Sequence, residues 1–181
     1  VTWTVTDGAG NTTTATQVVT VVDNIFPTIT APAAVSVNVD AGTCATALAN
    51  VTLGTPTTGD NCSVASTTND APTSFPLGAT TVTWTVTDGA GNTTTATQVV
   101  TVVDNIFPTI TAPAAVSVNV DAGTCATALA NVTLGTPTTG DNCSVASTTN
   151  DAPTSFPLGA TTVTWTVTDG SGNTATSTQV V

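Results

Sequence analysis

No lysine, arginine, histidine or glutamate occurs among the 181 residues, and the whole formal charge of −11 is carried by aspartate. A chain without one cationic side chain has nothing to set against a phosphate backbone or an anionic lipid, which excludes nucleic-acid binding and membrane-surface binding. Without His, Lys or Glu, aspartate is the only candidate base, and no nucleophile–base–orienter constellation can be assembled. Two aspartates could in principle form a glycosidase pair, but then every copy of the repeat described below would carry one. The expected protein is therefore not an enzyme. The absence of lysine also rules out internal Lys–Asn isopeptide bonds. Methionine is missing too, and no signal peptide or tag is present, so the sequence reads as an excerpt whose targeting signals lie elsewhere. No apolar run approaches the roughly 20 residues of a membrane span, so no membrane insertion is expected. Helix formers are scarce and no 3.6-residue apolar stripe occurs.

What is present is repetition. Val1 to Thr81 and Val82 to Thr162 are identical, and Val163 to Val181 begins a third copy that differs only at Ser171, Ala175 and Ser177, where the second copy has Ala90, Thr94 and Ala96. A fixed period of 81 residues marks a tandem array of small domains. Each unit is large enough for one modest core, and 40% apolar residues argue for a folded chain.

Every segment reads as β. Val82, Trp84 and Val86 alternate with threonines and define a buried face. Val35, Val37 and Val39 behave likewise, Leu48, Val51 and Leu53 look core-facing, and Gln98 to Val103 is a denser apolar strand. Threonine supplies 21 of the 81 residues in each repeat and suits the solvated face of a sheet. Asp88-Gly89-Ala90-Gly91-Asn92 predicts a hairpin turn with glycines at positive φ. Phe26-Pro27 and Phe75-Pro76-Leu77-Gly78 punctuate the rest, because proline blocks central-strand pairing. The spacing suggests a seven-strand β-sandwich, or close to it. Placing the break before Asp104 divides the chain into residues 1–22, the closing hairpin of a preceding domain, then 23–103, a complete domain, and 104–181, a second domain short of its last residues. A lone two-stranded hairpin is marginal in water, so residues 1–22 should lean on something or belong to a longer fibre.

Four cysteines allow three pairings. Repeat symmetry favours Cys44–Cys62 and Cys125–Cys143, since Cys62–Cys125 would leave two thiols seeking partners in neighbouring repeats. A bridge closing 18 residues contributes about 3 kcal/mol in the chain-entropy model and implies an oxidising compartment. Two buried free thiols are the competing reading. Trp84 and Trp165 fall in phase with the core valines, which favours packing over an exposed sugar-stacking platform.

The opening Asp23-Asn24-x-x-Pro27-x-Ile29, the central Asp60-Asn61, and the closing Phe75-Pro-x-Gly-x-Thr-x-Val-Thr-Trp-Thr-Val-Thr-Asp-x-Ala-Gly-Asn92 together resemble the hyalin repeat (HYR), an immunoglobulin-like module, over the whole unit. The resemblance implies tandem immunoglobulin-like β-sandwiches in an elongated array. It also implies an extracellular, cell-surface location, since such repeats occur in echinoderm and vertebrate extracellular proteins and in giant surface proteins of Bacteroidetes. The Thr-rich, Lys-free composition is most similar to the last group, which includes the gliding-motility adhesins. The family often carries Tyr at the Trp84 position and cysteines elsewhere, so the pairing above rests on spacing.

In an immunoglobulin-like topology, Asp23-Asn24, Asp60-Asn61 and Asp88 with Asn92 would gather at one pole near the junction with the previous domain. Asp104-Asn105, Asp141-Asn142 and Asp169 with Asn173 would do so in the next repeat. Such oxygen ligands are what Ca²⁺ takes, and a bound ion would stiffen the joint. The competing reading is turn chemistry, with Asp and Asn capping backbone N–H groups. No cofactor other than calcium is expected. The leading expectation is a stalk segment of a long secreted adhesin, its partners being neighbouring repeats and a distal ligand such as a surface or polysaccharide. A carbohydrate- or protein-binding module multiplied for avidity and a self-associating lattice or filament subunit are the alternatives.

Overall fold

Period-two alternation makes strands of most apolar stretches, while residues 17–22 and 116–120 form none. The computed structural model describes all residues, Val1–Val181, and contains no α-helix, only strands and two single-turn 3-10 helices. No helix is long and apolar enough to cross a membrane. The chain forms two compact units, one of residues 1–32, 55–70 and 83–97, the other of residues 33–54, 71–82 and 98–181.

The chain opens with an antiparallel hairpin, β1 (Thr2–Thr6) and β2 (Thr12–Thr16). Every residue from Val1 to Val22 is exposed. Trp3 is 63% exposed, whereas its 81-residue equivalents Trp84 and Trp165 are 6% and 7% exposed. Of the two expectations for this segment, the first is not met, since it does not lean on the rest of the chain, and the other, a place in a longer fibre, stays open.

The next repeat contains β3 (Thr28–Thr30), β4 (Val35–Asn38), β5 (Ala45–Ala47), β6 (Thr57–Gly59), β7 (Val64–Asn69), β8 (Ser74–Pro76), β9 (Gly78–Asp88) and β10 (Thr93–Val103). The two long strands anchor a sheet of order β4-β10-β9-β7, and β3-β6 and β5-β8 pair separately. The β4 strand runs parallel to the end of β10, with Val35 opposite Val100 and Val37 opposite Val102. Burial follows the predicted alternation: Val82, Trp84 and Val86 on β9 and Val100 and Val102 on β10 are buried, as are Val39 and Val51. Val35, Val37, Leu48 and Leu53 are half-buried. The Phe75-Pro76 segment does more than punctuate. Proline is tolerated at the end of the short β8 strand, and Phe75 is fully buried.

The following repeat reproduces the pattern as β11 (Thr109–Thr111), β12 (Ala126–Ala128), β13 (Thr138–Gly140), β14 (Val145–Asn150), β15 (Ser155–Pro157), β16 (Thr162–Asp169) and β17 (Thr174–Val180). Its core gathers Val132, Phe156, Val163 and Trp165, with Ile110, Leu129 and Leu134 packed against it. By the repeat register, the partner of Val116 is Val181, the last residue. The stretch matching β4 accordingly keeps only the Val116 N–H bond to Val180 O (2.9 Å) and forms no strand.

Two buried glutamines, which the apolar pattern does not distinguish, lock the layers. Gln179 Nε2 donates to Ala114 O and Leu134 O, both at 2.8 Å, and its Oε1 accepts from Trp165 Nε1 at 3.1 Å. Gln98 makes the matching pair to Ala33 O and Leu53 O, both at 2.8 Å. Of the three residues that distinguish the last copy, Ser177 adds a bond from Ala112 N–H to its hydroxyl (3.1 Å). Ser171 contributes only its backbone N–H, as Ala90 does, and nothing in the structure explains Ala175.

Candidate junction site

A chain with no cationic side chains must satisfy its carboxylates by other means, and here the backbone does so. Each of the eleven aspartates accepts at least one backbone N–H bond. The β9–β10 turn shows the device. Asp88 Oδ1 accepts from Ala90 N (2.9 Å) and Asn92 N (2.8 Å), while Asn92 Nδ2 donates to Asp88 Oδ2 (2.7 Å). Gly91 sits at φ +96°, where only glycine is unstrained. Burial opposes the charge on Asp88 and its equivalent Asp169. The bonds from Asn92 and Asn173 and the turn N–H groups outweigh it and hold both below the usual carboxylate range. Asn92 and Asn173 also reach the start of their own repeat, Asn92 donating to Asp23 O and Ile25 O (both 3.3 Å) and Asn173 to Asp104 O (3.2 Å) and Ile106 O (3.3 Å).

These bonds bring the start of the repeat, the β6–β7 loop and the β9–β10 turn together. One carboxylate oxygen each from Asp23, Asp60 and Asp88 lies within 4.8 Å of the others. In the following repeat the corresponding set is Asp104, Asp141 and the Cys143 sulfur, and Asp169 stands outside it. Asn24 and Asn105 are solvent-exposed. Asn61 Nδ2 donates to Asp23 Oδ1 (3.3 Å) and Asn142 Nδ2 to Asp104 Oδ1 (3.4 Å). Asp23 is held below the usual range chiefly by the Ile25 N–H, then by Asn61 and Cys62. Cys62 is pushed up by its bond to Asp23 and by the surrounding carboxylates.

The cysteines correct the sequence reading. Cys44–Cys62 and Cys125–Cys143 are not the pairs: Cys44 is bonded to Cys143, 99 residues away with Cα atoms 4.7 Å apart, and Cys62 and Cys125 are free and exposed. The reason is the length of β9. Leu77 N–H binds Cys44 O just ahead of that strand, and Gly89 N–H binds Ser63 O just past its end. Eleven residues of extended chain lie between, about 36 Å at about 3.3 Å each, against the roughly 4.4–6.8 Å a disulfide spans. The bond therefore joins the β4–β5 loop of one repeat to the β13–β14 loop of the next. Beside it, Asn142 Nδ2 donates to Thr43 O at 2.8 Å.

Four buried side-chain oxygens have no hydrogen-bond partner: Asp60 Oδ1, Asp104 Oδ2, Asp141 Oδ1 and Asn142 Oδ1. Three belong to the two acidic clusters and the fourth, on Asn142, lies beside the second; three of the four are at the covalent junction, where Asp104 is only 4% exposed. Unpaired buried oxygens are costly, and hard oxygen donors of this kind suit Ca²⁺. The residues fit such an ion; Cys143, already in a disulfide, is not one of its ligands.

The HYR domain model matches residues 22–102 and 103–181, nearly the whole chain. The chain belongs to the HYR domain family. It is 36% identical over 194 residues to Hyalin of Lytechinus variegatus, an alignment that takes in all of this chain and 36% of that protein. The HYR chain thus spans about a third of the length of this relative. The sequence did not point to Thr43 or to the cross-repeat sulfur bond as parts of the site. The signal available was the 81-residue period, which places an identical cysteine pair in every repeat.

Proposed function

We propose that this HYR chain is a non-catalytic stalk segment of a long secreted cell-surface adhesin, its repeats holding a distal binding region away from the cell. The supporting observation is the Cys44–Cys143 bond, which joins one repeat covalently to the next. A structural disulfide of this kind belongs to an oxidising, extracellular setting. Both HYR matches and the likeness to Hyalin fit a repeat protein of adhesion. The Lys-free, Thr-rich composition best fits the giant surface adhesins of Bacteroidetes, including those moved in gliding. The reading as a sugar-binding array has less support, because Trp84 and Trp165 are buried and offer no stacking platform.

Pulling the chain from its two ends tests the mechanical role. The oxidised chain hides the 98 residues between Cys44 and Cys143 from force, leaving 83 of 181 to extend. At about 3.5 Å per residue the contour length should be about 290 Å oxidised and about 630 Å reduced. Equal lengths in the two states would remove the support for a force-bearing junction.

We further infer that the cluster of Asp104, Asp141 and Asn142 takes Ca²⁺, with water completing the six to eight ligands the ion requires. Its support is the three unpaired buried oxygens in a chain with no cationic side chain. Calcium should raise the melting temperature, chelator should lower it, and Asp141→Asn should abolish the difference. A melting temperature indifferent to calcium overturns the inference.

A further inference from the structure

Cys62 and Cys125 are the two cysteines the Cys44–Cys143 bond leaves over. By the 81-residue period, Cys125 is the counterpart of Cys44 and Cys62 that of Cys143. The free pair are therefore the two complementary halves of the same junction. Each half already has the geometry of its bonded counterpart. Around Cys125, Asp121 N–H binds Ala126 O (2.9 Å), Thr124 N–H binds Asp121 O (3.0 Å), and Leu158 N–H binds Cys125 O (3.0 Å). The corresponding bonds around Cys44 are 2.8, 3.0 and 3.2 Å. Gly123 and Gly42 take the same left-handed turn, at φ +79° and +73°. Around Cys62, Asp60 Oδ2 accepts from Cys62 N and Ser63 N, both at 2.9 Å, against 2.8 and 2.9 Å at Cys143. Asn61 and Asn142 each lie 3.3 Å from their neighbouring sulfur. Neither loop has to rearrange to bond, which removes much of the ordering cost of association.

We propose that Cys125 of one chain forms a disulfide with Cys62 of a second copy, joining HYR chains head to tail by repetition of the Cys44–Cys143 junction. In the joined state Asn61 of the downstream copy would donate to Thr124 O of the upstream copy, as Asn142 does to Thr43 O. The same bond would form with a further repeat of the same polypeptide, so that an array of any length carries one disulfide at every junction. The chemistry balances with a small-molecule disulfide as oxidant. The two protein thiols become one disulfide, and the oxidant takes up their two electrons and two protons to become two thiols. The linkage needs only the junction chemistry, whatever the chain adheres to, so its failure and failure of the stalk reading are separate results.

The test uses the 181-residue chain with oxidised glutathione, followed by mass analysis without reductant. A ladder at multiples of 17.7 kDa that collapses on reduction is expected. Cys62→Ser and Cys125→Ser variants break the symmetry. Each alone should remain monomeric, and a mixture of the two should give one heterodimer and stop there. Both substituted positions are exposed and outside any disulfide, and serine can keep the hydrogen bonds of the Cys62 thiol, so folding is preserved, as an unchanged melting temperature of each variant would verify. Homodimers of either variant forming as readily as the heterodimer would overturn the proposal. So would a wild-type chain that stays monomeric, capped by glutathione or closed on itself without free thiols.

Discussion

Replacing Cys143 by serine in a chain whose Cys62 and Cys125 are already serine removes the inter-repeat disulfide and alters no other contact between side chains of the core. The bond closes a loop of 99 residues, for which the chain-entropy model gives about 4.7 kcal/mol of stabilisation, compared with about 3 kcal/mol for a loop of the size expected from the sequence. Denaturant unfolding of the two proteins should differ by about the larger figure. Peptide mapping cannot replace this measurement. Cleavage before aspartate gives residues 40–59 and 121–140 with one sequence and 60–69 and 141–150 with another, so Cys44–Cys62 and Cys44–Cys143 yield the same linked peptide mass. Thiol counting does discriminate. The freshly isolated, denatured but unreduced monomer should titrate two free thiols, whereas pairing within each repeat leaves none. A count of zero, or a stability loss below about 1 kcal/mol on replacing Cys143, refutes the cross-repeat bond.

Gln179→Met keeps the side-chain length but removes the donors to Ala114 O and Leu134 O and the acceptor for Trp165. It should cost about 2–4 kcal/mol, read as a lowered melting temperature, with near-wild-type stability refuting the role assigned to Gln179. Phe156→Ala empties the centre of the second core and should cost about 3–5 kcal/mol in denaturant unfolding. Asp88 and Asp169 have pKa values depressed by folding, so the stability they contribute is full above the unfolded carboxylate pKa of about 4 and is lost as pH falls through their lower folded values. With no His, Lys or Arg in the chain, melting temperature should be level from pH 7 to about 5 and fall below about 4. A transition near pH 6 would contradict this account. Unfolded and reduced, the chain should still resist trypsin, which has no Lys or Arg to cleave after.

The long strands were legible because β9 and β16 each bury one face, so Val82, Trp84 and Val86 announce theirs by alternation. The β9–β10 turn was legible because Asp88, Gly91 and Asn92 are residues whose backbone and side-chain chemistry is local. What alternation could not show was anything depending on which end of a strand a loop occupies. Cys44 and Cys62 are near in sequence, yet the full length of β9 separates them, and a pairing read from spacing alone favoured the shorter loop. Gln98 and Gln179 were hidden for a related reason. Their buried amides are satisfied by carbonyls 45 and 65 residues away, which no local pattern records.

Because the two copies are identical over residues 23–81 and 104–162, every difference between them is an effect of context and not of composition. Asp23 is half-buried and Asn61 exposed, while Asp104 is buried and Asn142 half-buried. The Asn61 amide bonds within its own repeat, whereas that of Asn142 also reaches the preceding one through Thr43. At the bonded junction three oxygens are buried without partners, against one in the set around Asp23. Joining two repeats therefore deepens the burial of Asp104 and Asn142 and leaves two carboxylate oxygens and one amide oxygen shielded without partners. If that cluster binds calcium, its affinity should rise when a junction is closed and fall when Cys44–Cys143 is reduced, since an open junction leaves the counterparts of Asp104 and Asn142 more exposed. Calcium titration of the oxidised and reduced chain measures this coupling, and equal affinity in both states would show that the site does not depend on the junction.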